Sequence, residues 1–242
     1  MKTVAIVQAR MGSSRLPGKV LMDLGGRTVL GRVVKRVNRA VLVQQVVVAT
    51  SSVPPDDAVA SECQRLGVEC FRGSEDDVLD RYYGCAQTFS ADTVIRITAD
   101  CPIVDPALVD ATLRAFHENP CDYASNALVS WYPRGLDVEV FTIEALSWAW
   151  REARKAYERE HVTPYLYEHP ELFGLVSVEA HCDYSQHRWT LDTAEDMELL
   201  RAIYARFGNR DDFGWRDVLQ LMEREPELAL LNSHVIQKPV HA

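Results

Sequence analysis

The feature that most constrains this fold is the run Thr3-Val4-Ala5-Ile6-Val7-Gln8, a short, almost wholly apolar stretch that reads as a strand buried on both faces. Similar β-branched runs alternate with amphipathic stretches over the first hundred residues, the rhythm of βαβ units around a parallel sheet. Strands are predicted at 45–49, 68–71 and 93–97, and helices at 28–40, 54–66, 76–89 and 106–117. Val29, Leu30, Val33, Val34 and Val37 share one face of the first helix, and Gly67 closes the second. Beyond residue 120 the rhythm changes. Strands are predicted at 122–126, 136–141, 172–179 and 187–191, with helices at 143–156, 158–169, 194–207 and 215–225. The expected architecture is one α/β domain over 1–242, a mostly parallel sheet flanked by helices, with 120–180 as a small α+β insertion.

Composition narrows the function. The net charge of −9 argues against a large nucleic-acid footprint, which needs a basic face, but leaves room for a mononucleotide. No apolar run approaches the roughly 20 residues of a membrane span, and the opening MKTVAIVQAR has too short an apolar stretch for a signal peptide. A cytoplasmic location without membrane association is expected. The six cysteines form no C-x-x-C pair and read as reduced thiols. His181, Cys182 and Asp183 with His187 suggest zinc only weakly, since neighbours on a strand point to opposite faces and no C-x-x-C pair supports the site.

Between the first strand and the first helix lies Gln8-Ala9-Arg10-Met11-Gly12-Ser13-Ser14-Arg15-Leu16-Pro17-Gly18-Lys19. A loop leaving the carboxyl end of a parallel strand is where α/β proteins usually bind ligands. Gly12 and the serines let backbone N–H groups approach an anion, while Arg10, Arg15 and Lys19 supply charge to neutralise a triphosphate. The loop is not a Walker A motif, because five residues separate Gly12 from Gly18 and Val20 follows Lys19. The dinucleotide fingerprint G-x-G-x-x-G is also absent.

The pattern Arg10-x-Gly12-Ser13-x-Arg15-x-Pro17-x-Lys19 resembles the signature of the cytidylyltransferases that make CMP-activated acidic sugars, the CMP-ketodeoxyoctonate and CMP-sialate synthetases. Within them it is most similar to the branch of the spore coat polysaccharide biosynthesis protein F. The resemblance extends to about Phe207. It implies a Rossmann-like nucleotidyltransferase fold and transfer of CMP from CTP to a sugar with release of pyrophosphate. It also implies a role in surface polysaccharide synthesis, and often a homodimer. Gln8, Ala9, Arg10, Gly12, Ser13, Arg15 and Lys19 would then contact the nucleotide, with Arg10 and Lys19 catalytic.

Nucleotidyl transfer calls for Mg²⁺, usually held by one or two carboxylates together with phosphate oxygens and water. Asp100 in Ile97-Thr98-Ala99-Asp100-Cys101-Pro102 and Asp192 in Leu191-Asp192-Thr193-Ala194-Glu195-Asp196 each follow a predicted strand. They match the family's G-D-x-P and V-D-T-P-E-D segments, so the resemblance assigns both to the metal. Asp192 or Thr193 would serve equally well as a helix N-cap, Asp100 would serve as a turn cap, and Asp105 reads as a plain N-cap. The chain departs from the family at Cys101, where an acid is usual, and at Ala194, where proline is usual.

By position, 71–81 corresponds to the base-recognition segment, placing Gly73 near the pyrimidine; the same residues also read as an acidic cap opening a helix. Acceptor contacts are expected from Tyr132, Asp137 and Glu139 in Tyr132-Pro133-Arg134-Gly135-Leu136-Asp137-Val138-Glu139, with both acids on one side of a strand. His161 is expected to share a helix face with Tyr165 and reads as a contact to the acceptor or a partner subunit, or as a packed core histidine. Arg188 reads as a partner of an acceptor carboxylate or phosphate, or of a surface acid. Two rival functions stand beside this one: a glycosyltransferase using a nucleotide-sugar donor, with Asp137-Val138-Glu139 as its D-x-D motif, and a non-catalytic nucleotide-binding subunit.

Overall fold

The computed structural model describes residues 1–237. Strands β1 (Thr3–Gln8), β2 (Gln45–Ser51), β3 (Glu69–Gly73) and β4 (Thr93–Thr98) run parallel, with β1 between β2 and β4. Helices α1 (Val29–Val37), α2 (Asp57–Leu66) and α3 (Val78–Thr88) connect them. After α4 (Pro106–Glu118) come β5 (Tyr123–Ser125) and β6 (Glu139–Thr142), then α5 (Ile143–Glu152), α6 (Ala156–His161), α7 (Pro164–Tyr167) and β7 (Leu175–Ser177). Helices α8 (Ala194–Arg206), α9 (Trp215–Arg224) and α10 (Glu227–Leu230) complete the chain. The seven strands form one sheet in the order β3-β2-β1-β4-β6-β5-β7, in which β6 alone runs antiparallel to its neighbours.

The alternation of a strand explains the layering. Ala5 and Val7 of β1 pack with Leu30, Val33 and Val37 of α1, whereas Val4 and Ile6 pack with α3 and α5 on the opposite face. A third cluster, built around Leu200, Ile203, Val218 and Trp189, seats α8 and α9. Chain direction out of the centre reverses between β1 and β4, since β2 and β3 lie to one side and β4 to the other. That reversal opens a crevice at the carboxyl ends of the two strands, where Gln8 is paired with Thr98.

The region 120–180 adds its strands to this same sheet. Its helices differ from expectation. The predicted helix over 158–169 is two short helices broken at Val162, whose φ of 73° lies in the left-handed region that a β-branched residue rarely enters. Pro164 contributes to the break, because it has no N–H to donate back along a continuing helix, and it instead opens α7 at its first position. His161 and Tyr165 therefore sit on different helices and share no helix face. Nor do 187–191 form a strand. They are extended chain, joined to residue 134 by one isolated bridge at Arg188 and to Asp100 by the Leu191 N–H.

Candidate active site

The loop after β1 is shaped from within. Gly18 takes a left-handed φ of 72°, and its N–H donates to Met11 O at 3.0 Å, closing the loop on itself. Asp56, almost fully buried, accepts from Met11 N at 2.7 Å and from the Ser51 hydroxyl at 2.5 Å. Burial would raise its pKa, but these hydrogen bonds prevail and hold the carboxyl below its ordinary value. Asp56 falls within the predicted helix over 54–66, and nothing in its local sequence marks it as a brace for the loop.

Gly18 delivers Lys19 into the crevice, where the ammonium is buried and fully bonded. It donates to Asp100 Oδ2 at 2.7 Å, to Asp192 Oδ1 at 2.8 Å and to Leu191 O at 2.6 Å. Burial alone would lower its pKa, but the Asp100 and Asp192 charges outweigh that and raise it. Asp192 is further held by Arg15 at 2.8 Å and by Arg188 at 2.7 Å. Burial pushes its pKa up, yet Lys19, Arg188 and Arg15 together bring it below the ordinary carboxylate value.

The two acidic loops are stitched together by Leu191 N donating to Asp100 O at 2.8 Å. Capping of α8 falls to Thr193, whose hydroxyl accepts from Asp196 N, while the buried Asp196 accepts from Asp192 N and Thr193 N. Asp192 is thereby left with its side chain in the crevice. Asp105, as expected, caps α4 through Ala107 N and Leu108 N. At Gly135, with φ of 101°, an added Cβ would lie 2.7 Å from the backbone of Trp189 and Thr190. Only glycine permits the 132–138 segment to approach the Asp192 loop this closely.

A cavity of about 700 Å³ opens over this cluster, lined by Gln8, Arg10, Gly12, Ser13, Arg15, Lys19, Asp100 and Asp192. A second, of about 330 Å³, adjoins it and shares Arg96, Thr98, Arg134, Asp137 and His161. Among the described residues no group of three or more His, Cys, Asp or Glu side chains is placed to hold a metal unaided. The pair Asp100 and Asp192 does fit a hard cation that completes its shell with phosphate oxygens and water, since both carboxylates already bracket a positive charge, the Lys19 ammonium. Cys101 is buried, and burial followed by the nearby Asp100 charge pushes its thiol well above the ordinary value, so it stays protonated beside this pair.

Several expected contacts lie elsewhere. Ala9 is buried in the core layer that includes α1, and its N–H donates to Ala49 O of β2 at 3.1 Å. Gly73 ends β3 outside both cavities, where a Cβ would press on Phe71 and Arg81. The capping role of this segment is present: Asp77 accepts from Asp80 N at the start of α3. Tyr132 lines neither cavity and packs edge-on against Trp215 at 5.4 Å, because its ring completes the apolar layer beneath α9. Arg188 also lines neither cavity; its guanidinium is spent on Asp192 and Asp196. Glu139 faces the second cavity, but it is engaged by Arg96, by Tyr123 at 2.7 Å and by Thr163 at 2.5 Å.

Sequence reading missed Arg96, Arg134 and the segment after α10. Arg96 is a charge inside the otherwise apolar strand Thr93-Val94-Ile95-Arg96-Ile97, and that anomaly was the available signal. Asn232 is buried and donates to Arg188 O at 3.0 Å and Asp196 Oδ1 at 2.8 Å. Gln237 accepts from Arg188 at 2.6 Å and lines the larger cavity.

A parallel sheet with a cationic loop after its first strand, and two carboxylates at the strand-reversal crevice, defines a nucleotidyltransferase. A family model described as cytidylyltransferase matches residues 4–220, and the chain belongs to that family. It is 37% identical to the spore coat polysaccharide biosynthesis protein SpsF of Bacillus subtilis, covering 93% of this chain and 95% of that protein. It is also similar to a 3-deoxy-manno-octulosonate cytidylyltransferase of Trichlorobacter lovleyi, 35% identical over 50% of this chain and 47% of the other. A solved cytidylyltransferase from Leptospira borgpetersenii superposes with a TM-score of 0.91 at 34% identity, over 95% of this chain and 97% of that one. Among the described residues no helix is long and apolar enough to cross a membrane.

Proposed function

We propose that the enzyme transfers CMP from CTP to a hydroxyl of an acidic sugar, with Mg²⁺, for surface polysaccharide synthesis in the cytoplasm. The observation that carries this reading is the Lys19–Asp100–Asp192 cluster on the floor of the larger cavity. Arg10 and Arg15, which line the same cavity, suit the β- and γ-phosphates and the departing pyrophosphate. Asp100 and Asp192 would hold the metal, which when bound neutralises phosphate charge and orients the α-phosphorus. The adjoining cavity suits the acceptor, with Arg134 as a cation for its carboxylate. Catalysis is then chiefly positioning and charge stabilisation, as is usual for phosphoryl chemistry.

The glycosyltransferase reading is weakened by Glu139, whose oxygens are engaged by Arg96, Tyr123 and Thr163 and leave no open D-x-D pair. The non-catalytic reading leaves the converging carboxylates without a task. A homodimer through the 120–180 region is supported by Val129, Trp148 and Leu172, which expose 41%, 47% and 49% of their surface there.

The test is pyrophosphate release from each of the four nucleoside triphosphates with a panel of sugar acids. The expected result is release dependent on CTP, on one acid and on Mg²⁺, abolished by EDTA and restored by added Mg²⁺. Release of a nucleoside diphosphate from a nucleotide-sugar would favour the glycosyltransferase instead.

A further inference from the structure

We infer that Asp137 is the general base of the transfer, taking the proton of the acceptor hydroxyl as that oxygen attacks the α-phosphorus. This rests on the nucleotidyl-transfer reading above.

Place comes first. Asp137 is the one carboxylate among the described residues that lines both the larger cavity and the adjoining one. A hydroxyl bound in the second and attacking a phosphorus bound in the first must pass this boundary.

Availability comes next. The other acids of the site are committed or set apart: Asp100 and Asp192 bind Lys19, Glu139 is held by Arg96, Tyr123 and Thr163, and Glu160 lines only the larger cavity, where it faces Arg10 at 3.7 Å. Asp137 accepts no hydrogen bond among the described residues, so its lone pairs are open to an O–H from the cavity.

Electrostatics separates Asp137 from His161, which lines both cavities beside it and is the other side chain there with a lone pair to take a proton at ordinary pH. Asp137 is faced by Arg134 from its own loop, Glu139 of β6, Arg96 of β4, Asp100 from the loop after β4, and His161 at the end of α6. Burial leads, and together with Glu139 and Asp100 it raises the Asp137 pKa against Arg134 and Arg96. Taking a proton therefore relieves a negative charge crowded by other acids. His161 is in the reverse position. Burial first, joined by Arg96 and Arg10, holds its pKa down against the opposing charges of Glu160 and Glu139, so a proton there would add a cation to a buried place beside two guanidinium groups. A base works best when its pKa approaches the operating pH, and the two environments move Asp137 toward that condition and His161 away from it.

The step balances without a further reactant. The acceptor oxygen forms a bond to the α-phosphorus while the bond from that phosphorus to the bridging oxygen of the β-phosphate breaks. Pyrophosphate leaves with the electron pair, the hydroxyl proton passes to a carboxylate oxygen of Asp137, and water removes it after product departs.

The test uses the full chain with Mg²⁺, CTP and a panel of sugar acids headed by 3-deoxy-manno-octulosonate. Asp137→Asn should lower kcat by roughly 100-fold or more, with KM for CTP and for the acceptor changed by less than about threefold. In the wild type, kcat should fall on the acid side as Asp137 is protonated, and this limb should vanish in Asp137→Asn. Calorimetric binding of CTP by the variant shows that it is folded; should it not fold, Asp137→Glu must retain turnover with a displaced acid limb. A variant within tenfold of wild-type kcat overturns the assignment, as does a loss confined to acceptor KM. Collapse of kcat in His161→Gln while Asp137→Asn stays active also overturns it. No pyrophosphate release by the wild type with any acceptor overturns the transfer reading and this one together.

Discussion

At the scale of single residues, Lys19 is the hub of the site, and its partners were beyond the reach of local reading. The loop sequence announces an exposed cation for phosphate, but Asp100 and Asp192 lie 81 and 173 residues away along the chain. Only folding shows that all three ammonium donors are spent on protein oxygens. Lys19→Met should therefore reduce turnover by about 10²–10³-fold, since it removes both positive charge at the phosphates and the brace between the carboxylates. Steady-state pyrophosphate release measures this. Asp192 carries a pH signature. Its folded pKa lies below the ordinary 3.8, so its ionisation contributes stability that is complete above that value and lost as pH falls through the depressed one. Urea unfolding of wild type and Asp192→Asn at a series of pH values should show the gap between them shrinking below about pH 4.

At the scale of elements, the parallel strands and their connecting helices were legible because β-branched runs and amphipathic periods are local signals. What failed was local order set by distant contacts. The 187–191 run alternates like a strand, yet its hydrogen bonds go to the 134 backbone and to Asp100 instead of a ladder. The break at Val162 places His161 in the boundary between the cavities and lets Thr163 bond Glu139. Neither consequence shows in the residues themselves. Asp192 and Thr193 were equally good caps on paper; the structure divides the labour, giving the cap to Thr193 and the crevice to Asp192. Thr193→Ala should cost about 1 kcal/mol in chemical denaturation, the typical value of an N-cap. It should also lower kcat, because the same turn aims Asp192.

At the scale of the whole molecule, the site draws on both ends of the chain. The loop of residues 9–19 supplies its cations, and the segment after α10 returns to support them: Ile236 O accepts from Arg15 at 3.4 Å, and Asn232 and Gln237 hold Arg188. Ending the chain at Leu231 should therefore raise KM for CTP several-fold while leaving the sheet and its helices folded, as steady-state kinetics and circular dichroism would show. The arrangement also bears on how the enzyme is handled. Gln237 stands at the cavity wall, whereas Met1 is 89% exposed. A polyhistidine segment fused directly after Gln237 would carry imidazoles beside the cavity that holds Asp100 and Asp192, and metal titrations on such a protein would report the fusion along with the enzyme. Placing the fusion before Met1 keeps the two apart.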